Sequence, residues 1–151
     1  MARVLAVLCT RMSSDRLPGK ALAEFGGSSQ LTHIARRLLK AKCIRNVVIA
    51  TSSEKSDEAI IRWAARANIP VHLGPLDDVV TRFNGAVQRY GQSGDYILRA
   101  LGDQPFLDWA DIDVAASLME SRDWDFVLPL SFGHDPVYGA AVSPWSMRAW
   151  S

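Results

Sequence analysis

The sequence predicts an α/β protein with a mostly parallel sheet flanked by helices, and three observations carry that prediction. Short apolar runs rich in β-branched residues, such as "VLAVLC" and "NVVIAT", recur along the chain. Between them lie segments whose apolar residues return at every third or fourth position, the period of an amphipathic helix. The two kinds of segment alternate without repeats, low-complexity tracts or linkers, as βαβ units do. Residues 1–151 are therefore expected to form a single domain, a size that buries roughly two-thirds of the surface its unfolded form exposes.

Arg3–Cys9 reads as the first strand. Gln30–Ala41 places Leu31, Ile34, Leu38 and Leu39 on one face and Arg36, Arg37 and Lys40 on the other, which predicts the first helix. Val47–Thr51 is a second buried strand. Ser56-Asp57 offers an N-cap for a helix reaching Ala67, and Ile69–His72 is a short third strand. Asp77 or Asp78 caps the helix that continues "VVTRFNGAVQRY". Asp95–Ala100 is a fourth strand, Asp111–Arg122 a helix and Phe126–Leu130 a fifth strand. Ser143-Pro144 makes a good N-cap and first-turn pair, so a helix is expected through "WSMRAW", with the chain ending within about two turns of its start.

Composition narrows the function. With 17 basic and 16 acidic residues mixed along the chain, the net charge of +1 provides no global field for nucleic acid or an anionic membrane. Cys9 and Cys43 fit neither a metal knuckle nor a disulfide framework, which suggests a reducing compartment. Val4–Cys9 is too short for a signal-peptide core or a membrane span. A soluble, cytoplasmic protein is expected.

In an open α/β sheet, ligands sit beyond the carboxyl ends of the strands. Those positions hold Arg11, Arg16 and Lys20 around Pro18-Gly19 after the first strand, Ser52-Ser53 after the second and Gly102-Asp103 after the fourth. Cations, hydroxyls and a carboxylate together suit a nucleoside triphosphate with Mg²⁺. Each element also has a plainer use. The cations fit a solvated turn, Asp103 an Asx-turn before Gln104-Pro105, Arg99 a buried ion pair and Arg82 the solvent face of its helix. His33, His72 and His134 lack metal-ligand spacing and read as structural. Trp63, Trp109, Trp124, Trp145 and Trp150 read as core or interface residues. A Walker loop is absent, because Gly19-Lys20 is followed by Ala21 and no glycine lies five residues before Gly19.

The stretch "RMSSDRLPGKAL" resembles the R-x-G-S-T/S-R-L-P-G-K-x-L signature of sugar cytidylyltransferases, in particular the F-type proteins of spore-coat polysaccharide synthesis, which are related to the acylneuraminate and 3-deoxy-manno-octulosonate cytidylyltransferases. The likeness continues through "NVVIATSSEKSDEAI", "IPVHLGPLDDVVTRF" and "YILRALGDQPFLD", covering about Val4 to Asp125. It implies a Rossmann-like nucleotide-diphospho-sugar transferase fold of the glycosyltransferase-A type. It further implies transfer of CMP from CTP to a sugar acid, with release of pyrophosphate, in surface polysaccharide biosynthesis.

By the same resemblance, Arg11, Arg16 and Lys20 hold the triphosphate, with Arg11, Lys20 and Asp103 carrying the catalysis. Asp103 of "GDQP" binds Mg²⁺; Ser52, Ser53, Asp78 and Arg82 build the nucleotide pocket, and Arg99 supports the metal loop. No general base stands out. The chain departs from the pattern at Ser13, where relatives usually have Gly, and at Asp15, where they have Thr or Ser. Relatives continue into a C-terminal segment with a second metal-binding Asp and much of a dimer contact. The chain is accordingly expected to be C-terminally short, to form a homodimer and to turn over poorly alone. Two alternatives stay open: a non-catalytic relative that binds a nucleotide or a partner, and a nucleotidyltransferase acting on a sugar phosphate.

Overall fold

The structure is a computed structural model and describes residues 2–14, 16–122, 124, 125 and 127, together with the backbone of 143–146. Its centre is β1 (Val4–Cys9), whose six residues are all buried. A strand covered on both faces needs apolar side chains at every position, which "VLAVLC" supplies. β1 pairs in parallel with β4 (Ile44–Ser52) on one side and with β6 (Tyr96–Leu101) on the other. β5 (Val71–Gly74) extends the sheet beyond β4, and β7 (Ser143–Ser146) pairs antiparallel with β6, giving the order β5-β4-β1-β6-β7. A two-residue hairpin, β2 (Glu24–Phe25) with β3 (Ser28–Ser29), leads into α1.

The alternation of side chains along β1 separates two cores. Val4, Ala6 and Leu8 face α1 (Gln30–Lys40), α2 (Glu58–Arg66) and α4 (Trp109–Ser121) through Leu31, Ile34, Leu38, Ile60, Ala64, Ile112 and Ala116. Leu5, Val7 and Cys9 face α3 (Val79–Tyr90) through Phe83, Ala86 and Val87. The α/β sandwich read from the sequence is the one observed. Cys9 and Cys43 are free and buried. Burial pushes both thiols up, and Cys43, beside Asp113, reaches about 12.

The differences from expectation have local causes. β4 begins three residues before the expected Val47, because Arg45 and Asn46 interrupt the apolar run without interrupting the ladder. Arg45 instead carries its charge to the buried Asp95, at 2.6 Å. β5 starts at Val71, two residues later than expected. Pro70 has no N–H to donate and contributes only its carbonyl, which accepts from Ile49 N at 2.9 Å. The helix expected after Ser143-Pro144 is not formed: Ser143–Ser146 is a strand with Pro144 opposite Leu98. The open edge of β6 overrides the local capping signal, and proline is tolerated on such an outer strand. Apart from Val127, the fifth strand expected over Phe126–Leu130 lies outside the described residues, as do His134 and Trp150.

Candidate active site

Three strand ends converge at one edge of the sheet. After β1, Thr10 N donates to Ala50 O at 3.2 Å, so the chain follows β4 one residue further before turning away. Met12 then closes the loop. Its N–H donates to Asp57 Oδ1 at 2.7 Å, and its carbonyl accepts from Gly19 N at 2.8 Å. Gly19 takes φ +77°, a left-handed conformation that glycine adopts without steric cost. A single 3-10 turn, Lys20–Leu22, follows and buries Ala21, which fixes where the Lys20 side chain emerges.

The loop after β6 meets this turn. Gly102 N donates to Cys9 O at 2.9 Å and Gly102 O accepts from Gln30 Nε2 at 2.5 Å. A Cβ on Gly102 would stand 2.5 Å from Thr10 Oγ1, so only glycine lets the two chain segments approach this closely. Asp103, the next residue, presents Oδ2 to Lys20 Nζ at 3.1 Å. Two residues 83 positions apart in sequence, both singled out from it, thus meet as an ion pair.

Around them opens a cavity of about 340 Å³ lined by Arg11, Arg16, Lys20, Arg82, Arg99 and Asp103, with Cys9, Thr10, Ser13, Ser14, Val79, Leu101 and Gly102. Five cations and one carboxylate face the same space, a balance that favours a polyanion. Arg82 is 2% exposed and does not face solvent as its helical position allowed. Its Nη1 donates to the carbonyls of Pro75 and Leu76, and its Nε has no acceptor. Ser13 Oγ is likewise buried without a partner. Buried donors left unmatched are costly, so both suit a ligand rich in acceptor oxygens.

Of the remaining site candidates, Ser52, Ser53 and Asp78 are off the cavity wall. Ser52 is buried and its hydroxyl donates to Asp57 Oδ2 at 2.5 Å, while Ser53 is exposed and off the cavity wall. Asp78 caps α3, accepting from Thr81 N at 2.9 Å and Thr81 Oγ1 at 2.6 Å, and these bonds hold its carboxyl below the usual range. Arg99 is exposed and lines the cavity. Asp15 lies outside the described residues. Sequence reasoning missed Gln30 and Asp57. Asp57 stands at the expected N-cap of α2, but its side chain makes no cap and turns inward. The signal that could have found it is the Thr51-Ser52 hydroxyl pair at a strand end, five residues before an acid.

Residues 5–132 match a family model described as cytidylyltransferase. The chain is 28% identical over 139 residues to the spore coat polysaccharide biosynthesis protein SpsF of Bacillus subtilis, covering 88% of this chain and 57% of that one. It is 29% identical over 141 residues to an 8-amino-3,8-dideoxy-manno-octulosonate cytidylyltransferase of Shewanella, covering 92% and 56%. A cytidylyltransferase from Leptospira borgpetersenii superposes with a TM-score of 0.88 at 26% identity, over 99% of this chain and 63% of that one. The chain therefore spans a little over half the length of these curated relatives. With most of its length matched by one family model and its Lys20 and Asp103 loops joined at a single cationic cavity, the chain belongs to the cytidylyltransferase family.

Proposed function

We propose that this chain binds CTP with Mg²⁺ and transfers CMP to a hydroxyl of a sugar acid, releasing pyrophosphate, in surface polysaccharide biosynthesis. The observation that carries the reading is the cationic cavity at the carboxyl ends of β1 and β6, with Lys20 paired to Asp103. Arg11, Arg16 and Lys20 would bind phosphate oxygens, and Ser13 Oγ and Arg82 Nε hold donors that lack acceptors. Among the described residues no three His, Cys, Asp or Glu side chains gather into a metal site. The protein side of an Mg²⁺ site would then be Asp103, with phosphate oxygens and water completing the shell, as is usual for this ion. When bound, Mg²⁺ supplies charge neutralisation on the phosphates.

The acceptor hydroxyl oxygen attacks the α-phosphorus, the bond from that phosphorus to the α,β-bridging oxygen breaks, and pyrophosphate leaves with the bonding pair. The hydroxyl proton passes to water. Little covalent work falls to side chains, so positioning and charge stabilisation carry the rate. Lys20 holds Asp103 in the free protein, and with Asp103 engaged by Mg²⁺ its ammonium would be free to bind a phosphate oxygen.

The test is pyrophosphate release across the four nucleoside triphosphates and a panel of sugar acids, alongside melting with and without CTP·Mg²⁺. Release with CTP and a sugar acid supports the reading. No stabilisation at millimolar CTP, with the protein folded, rejects the nucleotide site. Binding without turnover assigns the chain to the non-catalytic reading, and turnover only with a sugar phosphate to the third. No helix among the described residues is long and apolar enough to cross a membrane. We place the protein in the cytoplasm as a homodimer, supported by the exposed Val114, Leu118 and Trp124 at and after α4; light scattering at the monomer mass would refute the dimer.

A further inference from the structure

We propose that Asp57 is the positioning residue that sets the phosphate-facing loop, a role that rests on the nucleotide reading given above. Asp57 is fully buried, yet it lies at the start of a surface helix where a carboxylate ordinarily caps. Its two oxygens face opposite ways. Oδ2 accepts from Thr51 Oγ1 at 3.0 Å, Ser52 Oγ at 2.5 Å and Ser52 N at 3.2 Å, all at the carboxyl end of β4. Oδ1 accepts from Met12 N at 2.7 Å, 45 residues away in sequence.

That single bond reaches the peptide between Arg11 and Met12. Met12 in turn receives Gly19 N on its carbonyl, one residue before Lys20. One carboxylate thus ties the sheet to both ends of the loop that carries Arg11 and Lys20, through a chain of two short hydrogen bonds. Four donors converge on it, and an ionised carboxylate can accept all of them because it has acceptor sites only. An amide of the same shape cannot: its nitrogen brings two more donors against the N–H or hydroxyl groups already there. Without the carboxylate, Met12 N has no partner holding it to β4, and the cations at residues 11 and 20 lose their common reference point. Ligand affinity then falls because the loop must be ordered at the moment of binding.

The experiment compares the wild-type chain, Asp57→Asn and Ile60→Val, the last being a core change in α2 that does not touch the bridge. Each is examined for CTP·Mg²⁺ affinity by calorimetry well below its melting temperature, and for amide hydrogen exchange. Asp57→Asn is expected to weaken CTP·Mg²⁺ at least tenfold while staying folded, and to speed exchange at Met12 and Gly19 at least tenfold more than at Val7 in β1. Ile60→Val should lower the melting temperature and leave affinity and the Met12 to Val7 exchange ratio unchanged. Unaltered affinity in folded Asp57→Asn, or exchange at residues 12 and 19 that changes only in step with Val7, overturns the proposal. Should Asp57→Asn fail to fold, Asp57→Ser carries the same comparison, since its single oxygen, on a side chain one carbon shorter, cannot stand at the positions of both Oδ1 and Oδ2. If the wild-type chain binds no CTP, the function reading fails, and the exchange ratio alone upholds or overturns the anchoring role.

Discussion

Lys20 and Asp103 are paired at 3.1 Å, but their side chains keep 27% and 48% of their exposure. Water screens such a pair, and exposed pairs contribute on the order of 0–1 kcal/mol. Its importance therefore lies in charge placement rather than in stability. Asp103→Asn keeps the shape and removes the charge, so melting of the free protein should move by no more than about 2 °C, the shift that a few tenths of a kcal/mol produces. The same variant should lose the Mg²⁺-dependent part of CTP binding, which calorimetry with and without the metal measures. An unchanged metal dependence would return Asp103 to a turn-forming role. If Lys20 binds phosphate as proposed, Lys20→Met should weaken CTP binding by tenfold or more, while leaving the carboxylate without its cation.

At the scale of elements, α3 docks on β5 through an exchange of bulk. Gly85 sits mid-helix, where alanine is ordinarily better by about 1 kcal/mol. Here a Cβ at residue 85 would run into the imidazole of His72 on β5. Gly85→Ala should therefore forfeit most of that propensity gain, because the imidazole must swing aside to make room. Added to His72→Ala, Gly85→Ala should recover most of the gain, as paired denaturation curves can show. His72 also makes stability depend on pH. Burial, with the Arg89 charge adding to it, lowers the imidazole below its ordinary value, and its Nδ1 is buried without a partner. Between the lowered folded value and about 6.5 in the unfolded chain, the unfolded state binds more protons, so stability rises with pH across that window. It should fall as pH drops below about 6.5, and His72→Gln should flatten that slope in pH-dependent melts.

For the whole molecule, a net charge of +1 conceals strong local asymmetry: five cations line one cavity beside one carboxylate. CTP affinity should consequently weaken severalfold when salt is raised from about 0.05 M to about 0.5 M, because the Debye length shrinks below the spacing of exposed charges. A salt-independent affinity would mean that Arg11, Arg16 and Arg99 do not face the phosphates. The α/β class, the main strands and helices between β1 and α4 and the cations and carboxylate at the strand ends were legible in the sequence, the short β2-β3 hairpin excepted, because hydrophobic period and turn chemistry are local properties of neighbouring residues. Lys20 and Asp103 could each be singled out from a short motif. Their contact could not, since it depends on β6 lying beside β1 and on Gly102 passing against Thr10. The strand at Ser143–Ser146 was illegible for the same reason, its conformation being set by the partner edge of β6 and not by its own Ser-Pro start. Asp57 shows the limit most plainly: the sequence alone determined that an acid stands at the start of α2, and only the tertiary structure decided that it accepts from Met12 instead of capping, because a buried carboxylate turns to whichever donors the fold brings within reach.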